Sequence, residues 1–531
     1  MNAFARLLSG AALTATLAAT APALWAETPA NMLVVANRID DITTLDPAEN
    51  FEFAGGDVLR NVYGRLVNFD PLDYEAGYQP DLAESWEVSE DGRSITFTMR
   101  EGVTFTSGNP VTAEDAAFSL RRAVLLNLTP SFLLTQFGFT PDNIDETIRA
   151  EGNRLIVTAD KAYATSFVLN CLTATIGSIL DKKTVLEHEV DGDMGHDWLK
   201  THSAGSAAYS LVAWKPNESV TLQANPDFYQ GAPAMKRVIV RHIAESATQR
   251  LLLERGDIDV ARNLNPQDVQ GLDGAEGVRI QEELKGYLMY ASFNQKIPEL
   301  QDPKVLEALK YLVDYEGMAN SFLKGQWTIQ QNFLPQTYLG AVKENPFFFD
   351  VGKAKELLSE AGVDGLELTI GVRDVQERME IAQSMQNTFA QAGIDLNIEV
   401  GTGKQILAKY RARDLDVYLG TWGPDYPDPQ TNASTFAYNP DNSAEAQNGG
   451  ILAWRNSWDA DGLTEMTEAA VTERDTAKRI EMYHEIQARF RETSPFVIMF
   501  QAIEQDGLRE NVEGFTTGQA IADASYWKVT K

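Results

Sequence analysis

The chain has 531 residues, a length that suggests about two or three domains of ordinary size. Its apolar fraction of 44 % is that of a globular protein, so the composition gives no reason to expect disorder. A net charge of -31 disfavours nucleic acid and anionic membrane surfaces as partners. Cys171 is the only cysteine in the sequence, which excludes a disulfide within one chain.

The N-terminal segment has the organisation of an export signal. Arg6 precedes an uncharged, mostly apolar run over residues 7–20, and small residues then offer cleavage positions. We predict a signal peptide over residues 1–26, cut after Ala26, with Ala23 as the second choice. A membrane anchor is the alternative, but the run is shorter than the roughly 20 residues that a spanning helix needs. No cysteine stands directly after the cleavage position, so no lipid anchor is expected, and a soluble exported protein indicates the periplasm.

The first clear elements lie near residue 100. Ile95, Phe97 and Met99 alternate with polar residues, which predicts a half-buried strand. Thr112 followed by Asp115 forms a capping-box pattern and predicts the start of a helix.

A second unit begins at Asp350, which is expected to cap a helix that runs to Ala361. A strand over 366–370, a helix that stops at Gly393 and a strand over 394–400 follow. The order strand, helix, strand predicts a βαβ unit, and hence an α/β domain.

The motifs of common enzymes are incomplete. His188 and His484 each begin a His-Glu zinc-protease pattern, but the second histidine is missing from both. Residues 401–404 resemble the end of a phosphate loop without its first glycine or its Ser/Thr. Residues 459–462 resemble a fragment of a calcium loop, and an N-capped helix start explains them better. We therefore predict no catalytic residue, no metal site and no cofactor.

Motifs of one known family occur in order along nearly the whole chain. They are Thr44-Leu45-Asp46-Pro47-Ala48, Val62-Tyr63-Gly64-Arg65-Leu66, Leu82-Ala83-Glu84-Ser85-Trp86 with Arg100-Glu101-Gly102-Val103 and Thr112-Ala113-Glu114-Asp115, Gly205-Ser206-Ala207-Ala208-Tyr209, Phe293-Asn294, Ala354-Lys355-Glu356-Leu357-Leu358, and Trp422-Gly423-Pro424-Asp425-Tyr426-Pro427-Asp428-Pro429. Together they resemble the ABC-transporter solute-binding proteins of the peptide and nickel family, family 5. Ala207-Ala208 departs from the Gly-Pro that this family usually has.

The resemblance implies an α/β fold of two lobes that close on a ligand by hinge motion, type II-like and of cluster C. Lobe I is expected at 27–286 plus 505–531, with an additional subdomain at about 72–195. Lobe II is expected at 287–504. The chain would cross between the lobes near Tyr287 and near Glu504.

The segment from Trp422 to Pro429 is the best candidate for ligand binding. In peptide-binding relatives, the aspartate that matches Asp425 holds the α-amino group of the ligand, and a stiff, proline-rich segment suits that role. The alternative for Asp425 is a turn aspartate that caps its own loop. For Asp428, the sequence favours ligand binding and this capping role equally. Trp422 is expected to cover an apolar group, and Thr421 and Gly423 to offer backbone contacts.

Four further residues complete the predicted site. The resemblance implies that Arg373 meets a ligand carboxylate, with a solvated loop arginine as the alternative. Phe51, Glu52 and Phe53 follow the Leu-Asp-Pro motif, and the two rings suggest either a wall of the pocket or part of the core. Leu419 stands where some oligopeptide binders have arginine, which argues against a long, charged peptide.

The resemblance thus implies a periplasmic binding protein of an ABC importer, monomeric and not an enzyme. It would capture a short peptide or peptide-like amine and deliver it to permease subunits in the inner membrane. An oligosaccharide, an opine-like compound or a modified amino acid remains an alternative ligand. A periplasmic hydrolase remains a remote alternative.

Overall fold

The computed structural model describes residues 28–70, 73–519 and 523–531. The predicted signal peptide, with its cleavage position, lies outside these ranges. Within them, no helix is long and apolar enough to cross a membrane.

The described residues form a mixed α/β structure. The strands are β1 Met32–Asn37, β2 Val67–Asp70, β3 Asp73–Pro80, β4 Ala83–Val88, β5 Ser94–Met99, β6 Ile148–Glu151, β7 Arg154–Thr158, β8 Tyr209–Lys215, β9 Ser219–Ala224, β10 Arg237–His242, β11 Val260–Ala261, β12 Val278–Phe293, β13 Trp327–Ile329, β14 Leu366–Arg373, β15 Ile394–Gly401, β16 Val417–Trp422 and β17 Phe496–Arg509. The helices are α1 Phe53–Val62, α2 Ala113–Leu126, α3 Phe132–Thr135, α4 Ile144–Thr147, α5 Thr165–Thr173, α6 Lys182–Glu187, α7 His196–Leu199, α8 Ser246–Arg255, α9 Pro266–Leu272, α10 Pro303–Tyr311, α11 Tyr315–Ala319, α12 Val351–Glu360, α13 Gln376–Ala390, α14 Gly403–Arg411, α15 Pro429–Phe436, α16 Leu452–Arg455, α17 Leu463–Thr472 and α18 Thr476–Thr493.

One large sheet runs through the molecule. Its strand order is β15-β14-β16-β12-β17-β11-β1-β10-β9-β8, and β13 pairs with β17 beside this path. A separate sheet, β4-β5-β7-β6, packs with α2 and α5 around its own hydrophobic core, and β2 pairs with β3 as a hairpin.

Two long antiparallel strands, β12 and β17, join the two parts of the large sheet. Their register shifts between Leu284 and Leu288, and only the portion of β12 from Leu288 onward pairs with β16. At the other end, β17 pairs with β11 at Gly507 and Leu508. We call the part around β1 and β8–β11, with the four-stranded sheet, lobe I, and the part around β14–β16 lobe II. The residue limits of the lobes given above stay predictions.

Several local predictions are confirmed. β5 alternates between buried and half-buried residues, and Thr112 with Asp115 makes the predicted capping box at the start of α2. Asp350 caps α12. β14, α13 and β15 form the predicted βαβ unit, in which β14 and β15 pair in parallel from Leu366/Ile394 onward.

One local prediction was wrong. The N-cap of α17 is Gly462, with φ of 70° and no side-chain cap bond, so neither aspartate of 459–462 caps this helix.

A cluster of buried charges lies where β12 and β17 connect the lobes. Arg262 pairs with Asp57 and, through Nη2, with Glu504 Oε1 at 2.7 Å, and Lys285 Nζ lies 3.3 Å from Glu504 Oε2. Burial opposes ionisation of Glu504, but the charges of Arg262 and Lys285 outweigh it and lower its pKa to about 2. Burial and the adjacent Glu504 charge raise the pKa of Asp506 well above its usual range. Glu504 therefore carries the negative charge of this pair.

Candidate functional site

A cavity of about 330 Å³ lies between the two lobes. Lobe I contributes the segment before and at the start of α1, Arg65, and the end of α5 with the residues that follow it. Lobe II contributes Tyr338 and the segment from Gly423 to Pro427, and Tyr287 comes from β12 at the crossing. A second cavity of about 400 Å³ shares Phe69, Tyr338 and Pro427 with the first. Enclosure between lobes, with polar groups on an apolar wall, is typical of small-ligand sites.

Asp428 anchors the segment that follows β16, on the side away from the first cavity. Asp428 is fully buried, accepts two hydrogen bonds from Arg479, at 2.7 and 2.9 Å, and caps α15 through the Gln430 N–H. It also accepts a bond of 3.0 Å from Asn170 Nδ2, which belongs to lobe I. These four bonds occupy both of its oxygens and support a structural role for Asp428.

Asp425, three residues earlier, has the opposite environment. Its side chain lines the cavity, and no described residue donates a hydrogen bond to its carboxylate; only its backbone N–H is bonded, to Thr431 Oγ1 at 3.3 Å. Asp425 is exposed on the cavity side, but the surrounding protein atoms partly desolvate its carboxylate. This burial raises its pKa to about 6. The alternative of an aspartate that caps its own loop describes Asp428 and not Asp425.

Phe51, Glu52 and Phe53 line the lobe I side of the cavity. Phe51 is 39 % exposed and Phe53 50 % exposed, so neither ring belongs to the core. Phe53 packs edge-on against Tyr287 with ring centroids 5.7 Å apart. Glu52 Oε2 accepts bonds from Asn50 Nδ2 at 3.3 Å and from the Phe51 N–H at 3.2 Å, which fixes this segment.

Of the other predicted residues, Gly423 lines the cavity but Thr421, Trp422 and Arg373 do not. The Trp422 ring packs edge-on against Phe436, 5.6 Å away, at the core of lobe II. Thr421 Oγ1 accepts a bond of 2.9 Å from Arg378 Nη2. Arg373, the last residue of β14, is half-buried, and its Nε has no partner. Contact of these three residues with a ligand stays a prediction.

Among the polar wall residues that were not predicted from the sequence, Arg65 and Tyr338 have unpaired side-chain atoms. Arg65 is 4 % exposed, no described residue accepts a hydrogen bond from its side chain, and its Nε is buried. Burial, with the nearby Arg60 charge, lowers the pKa of Arg65 to about 9. The hydroxyl of Tyr338 is also buried without a partner. A cation in the otherwise apolar run from Val62 to Val67 could have identified Arg65 as a candidate from the sequence. The sequence around Tyr338 contains no comparable feature.

Direct contacts join the lobes beside the cavity. Arg479 Nη1 donates to Ser166 Oγ at 2.9 Å, and the Ala164 N–H donates to the Val471 carbonyl at 3.0 Å. Tyr426 belongs to the hydrophobic cluster of the four-stranded sheet in lobe I. The lobes are therefore closed on each other in this conformation.

The model of one protein family matches residues 77–444, well over half of the chain, and that family is described as bacterial extracellular solute-binding proteins, family 5. The chain belongs to this family. The resemblance inferred from the sequence is thereby confirmed. Among the curated relatives is the probable D,D-dipeptide-binding periplasmic protein DdpA of Escherichia coli (strain K12). Its sequence is 27 % identical to this chain over 508 residues, which cover 94 % of each of the two proteins.

Solved structures agree with the fold. HbpA2 from Haemophilus parasuis is 23 % identical, with a TM-score of 0.79 over 94 % of this chain and 99 % of its own. The dipeptide binding protein from Pseudoalteromonas sp. SM9913, in complex with Met-Leu, is 22 % identical, with a TM-score of 0.73 over 94 % of this chain and 100 % of its own. The predicted fold class, a two-lobe α/β binding protein, is confirmed.

Proposed function

We propose that this family 5 protein captures a short peptide or peptide-like amine in the cavity between its lobes. The observation that carries the proposal is the Asp425 carboxylate, which lines the cavity and has no partner among the described residues. A protonated amine in the cavity supplies the missing partner as a charge-assisted hydrogen bond.

Size and surroundings support a short ligand. The cavity and its neighbour, of about 330 and 400 Å³, share three wall residues, so a ligand that begins at Asp425 has room to extend past Tyr338. Phe51 and Phe53 supply exposed rings for apolar side chains. Relatives named for dipeptide binding agree with this size.

We extend the proposal to the remaining parts of the role, which are supported by the sequence and by the family. The protein acts in the periplasm as a monomer, without catalysis, after removal of its signal peptide. It delivers the ligand to the permease subunits of an ABC importer in the inner membrane.

Titration calorimetry on the mature protein tests the proposal, with di- to pentapeptides as ligands. We expect saturable binding, and we expect Asp425→Asn to lose about 2–5 kcal/mol of binding free energy, because the ammonium is then left without its counter-charge. Asp395→Asn, an exposed position on β15, makes the same change of charge and is the control. Equal affinity of Asp425→Asn and the control would contradict the amine assignment, and binding of a sugar but of no peptide would contradict the peptide.

A further inference from the structure

Arg65 is an unpaired cation on the lobe I wall of the cavity. The side chain is 4 % exposed, and the guanidinium makes no hydrogen bond with any described residue. A buried charge without a partner costs several kcal/mol, so such groups persist where a partner arrives from outside. Because Arg65 lines the cavity, a ligand in the cavity can supply that partner.

The carboxylates nearest to Arg65 are already engaged. Asp81 accepts bonds from the Arg65 backbone N–H at 2.9 Å and from the Tyr229 hydroxyl at 2.7 Å. Asp523 pairs with Arg60, whose Nε lies 2.8 Å from Asp523 Oδ1. These two carboxylates moderate the charge around Arg65 without bonding to its guanidinium, and burial still dominates in lowering its pKa.

Arg65 and Asp425 stand on different lobes and do not neutralise each other. The raised pKa of Asp425 comes from burial alone, without any contribution from Arg65. The cavity wall thus presents a guanidinium from lobe I and a carboxylate from lobe II, and neither charged group is hydrogen-bonded to a described residue.

This assignment rests on the proposed function. We propose that Arg65 binds a carboxylate of the ligand from lobe I while Asp425 binds its ammonium group from lobe II. The substrate class is then zwitterionic: a peptide or amino-acid derivative with a free acid. The planar guanidinium fork matches both oxygens of a carboxylate. Arg373, for which the carboxylate role was predicted, lies outside the cavity wall.

Two carboxylates of a peptide fit this chemistry, the C-terminal one and that of an acidic side chain. Native mass spectrometry with equimolar di- and tripeptides distinguishes the two carboxylates. Three forms of peptide are offered: the free acid, the C-terminal amide without an acidic side chain, and the C-terminal amide that contains a glutamate. We expect the wild type to prefer free acids over neutral amides by roughly 10- to 100-fold. If the side-chain carboxylate is the group bound, the glutamate-containing amides bind as well as the free acids.

Arg65→Gln is expected to abolish this preference and to bind acids and amides alike, whereas Asp425→Asn weakens both forms together. Arg65→Lys keeps the charge without the fork and is expected to restore part of the preference. Arg154→Gln, an exposed arginine on β7, is the control. Thermal melts establish that the Arg65 variants are folded.

An unchanged preference in folded Arg65→Gln and Arg65→Lys would overturn the role of Arg65 and leave the proposed function standing. A wild type that binds no peptide in any form would overturn the proposed function and, with it, this assignment.

Discussion

Asp425 and Asp428 lie three residues apart in one loop, and their surroundings give them different roles. Asp428 is paired with Arg479 and makes four hydrogen bonds, whereas Asp425 faces the cavity without a partner. A carboxylate that is fully bonded holds structure, and one that is desolvated and unbonded is poised for a cation. The difference lies in the partners and not in the residue type.

Affinity for an amine ligand is expected to depend on pH through Asp425. Burial raises the pKa of this carboxyl to about 6, and the ligand ammonium needs the ionised form. As the pH falls from 7 to 5, the ionised fraction drops about tenfold, and the apparent dissociation constant rises by about the same factor. Calorimetry at both pH values checks this. A flat profile is expected for Asp425→Asn, and a flat profile in the wild type would contradict the role of Asp425.

The pairing of Asp428 with Arg479 is expected to be important for stability. Arg479→Met leaves the fully buried Asp428 without its counter-charge and is expected to cost about 3–5 kcal/mol of unfolding free energy. The adjacent, exposed Lys478→Met is the control. Denaturant unfolding measures both. The double variant Asp428→Asn/Arg479→Met is expected to recover part of the loss, because no buried charge remains unpaired; equal losses in the single and double variants would contradict this account.

At the scale of the elements, α5 of lobe I meets the loop after β16 and α18 of lobe II. Asn170 and Ser166 lie one turn apart on α5, and both bond to the pair formed by Asp428 and Arg479. One buried ion pair therefore bonds to the loop after β16 and also links lobe II to α5 of lobe I.

Asn170→Asp is expected to weaken the closed conformation. The substitution keeps the shape of the side chain but places a carboxylate 3.0 Å from Asp428, where the two like charges repel each other. We expect a larger radius of gyration by small-angle X-ray scattering in the presence of peptide, and weaker binding. Asn387→Asp, exposed on α13, is the control. Scattering and affinity equal to those of the control would show that this contact does not contribute to closure.

The sequence predicted an element correctly where the interaction that determines it joins residues close together in the chain. The capping box of Thr112 with Asp115 and the unit β14-α13-β15 depend on neighbours within a few residues or on periodicity. The pairing of Asp428 with Arg479 joins residues 51 positions apart. No periodicity encodes such a contact, so the role of Asp428 became visible only in the folded chain.

At the scale of the whole molecule, β12 and β17 continue the large sheet from one lobe to the other, and a cluster of buried charges lies on them at the connection. Within the cluster, Glu504 is ionised between Arg262 and Lys285, while the raised pKa of Asp506 keeps that acid protonated over a wider pH range. The connection between the lobes is thus a paired ribbon with internal ion pairs.

Asp506→Asn is expected to leave stability unchanged or higher at pH 7, whereas Glu504→Gln is expected to lose about 3–5 kcal/mol, because Arg262 and Lys285 lose a counter-charge. A carboxyl with a raised pKa binds its proton more tightly in the folded state, so the contribution of Asp506 to wild-type stability falls as the pH rises above about 4. Asp506→Asn is expected to remove that part of the fall. Unfolding curves from pH 4 to 8 check both variants, and the opposite order of their losses would contradict the assignment of the charge.

The core of lobe I contains residues from both ends of the described chain. Leu33 and Val35 of β1 pack in the same cluster as Tyr526 and Val529, and Asn61 donates to the Ala524 carbonyl at 2.7 Å. The hydrophobic clusters of lobe II lie within residues 288–500, so they can form before the rest of β17 has been synthesised. The lobe I cluster that contains Leu33 and Val35 cannot be completed until Tyr526 and Val529 have been synthesised. The order of synthesis therefore delays the completion of this cluster, although its first residues are made early.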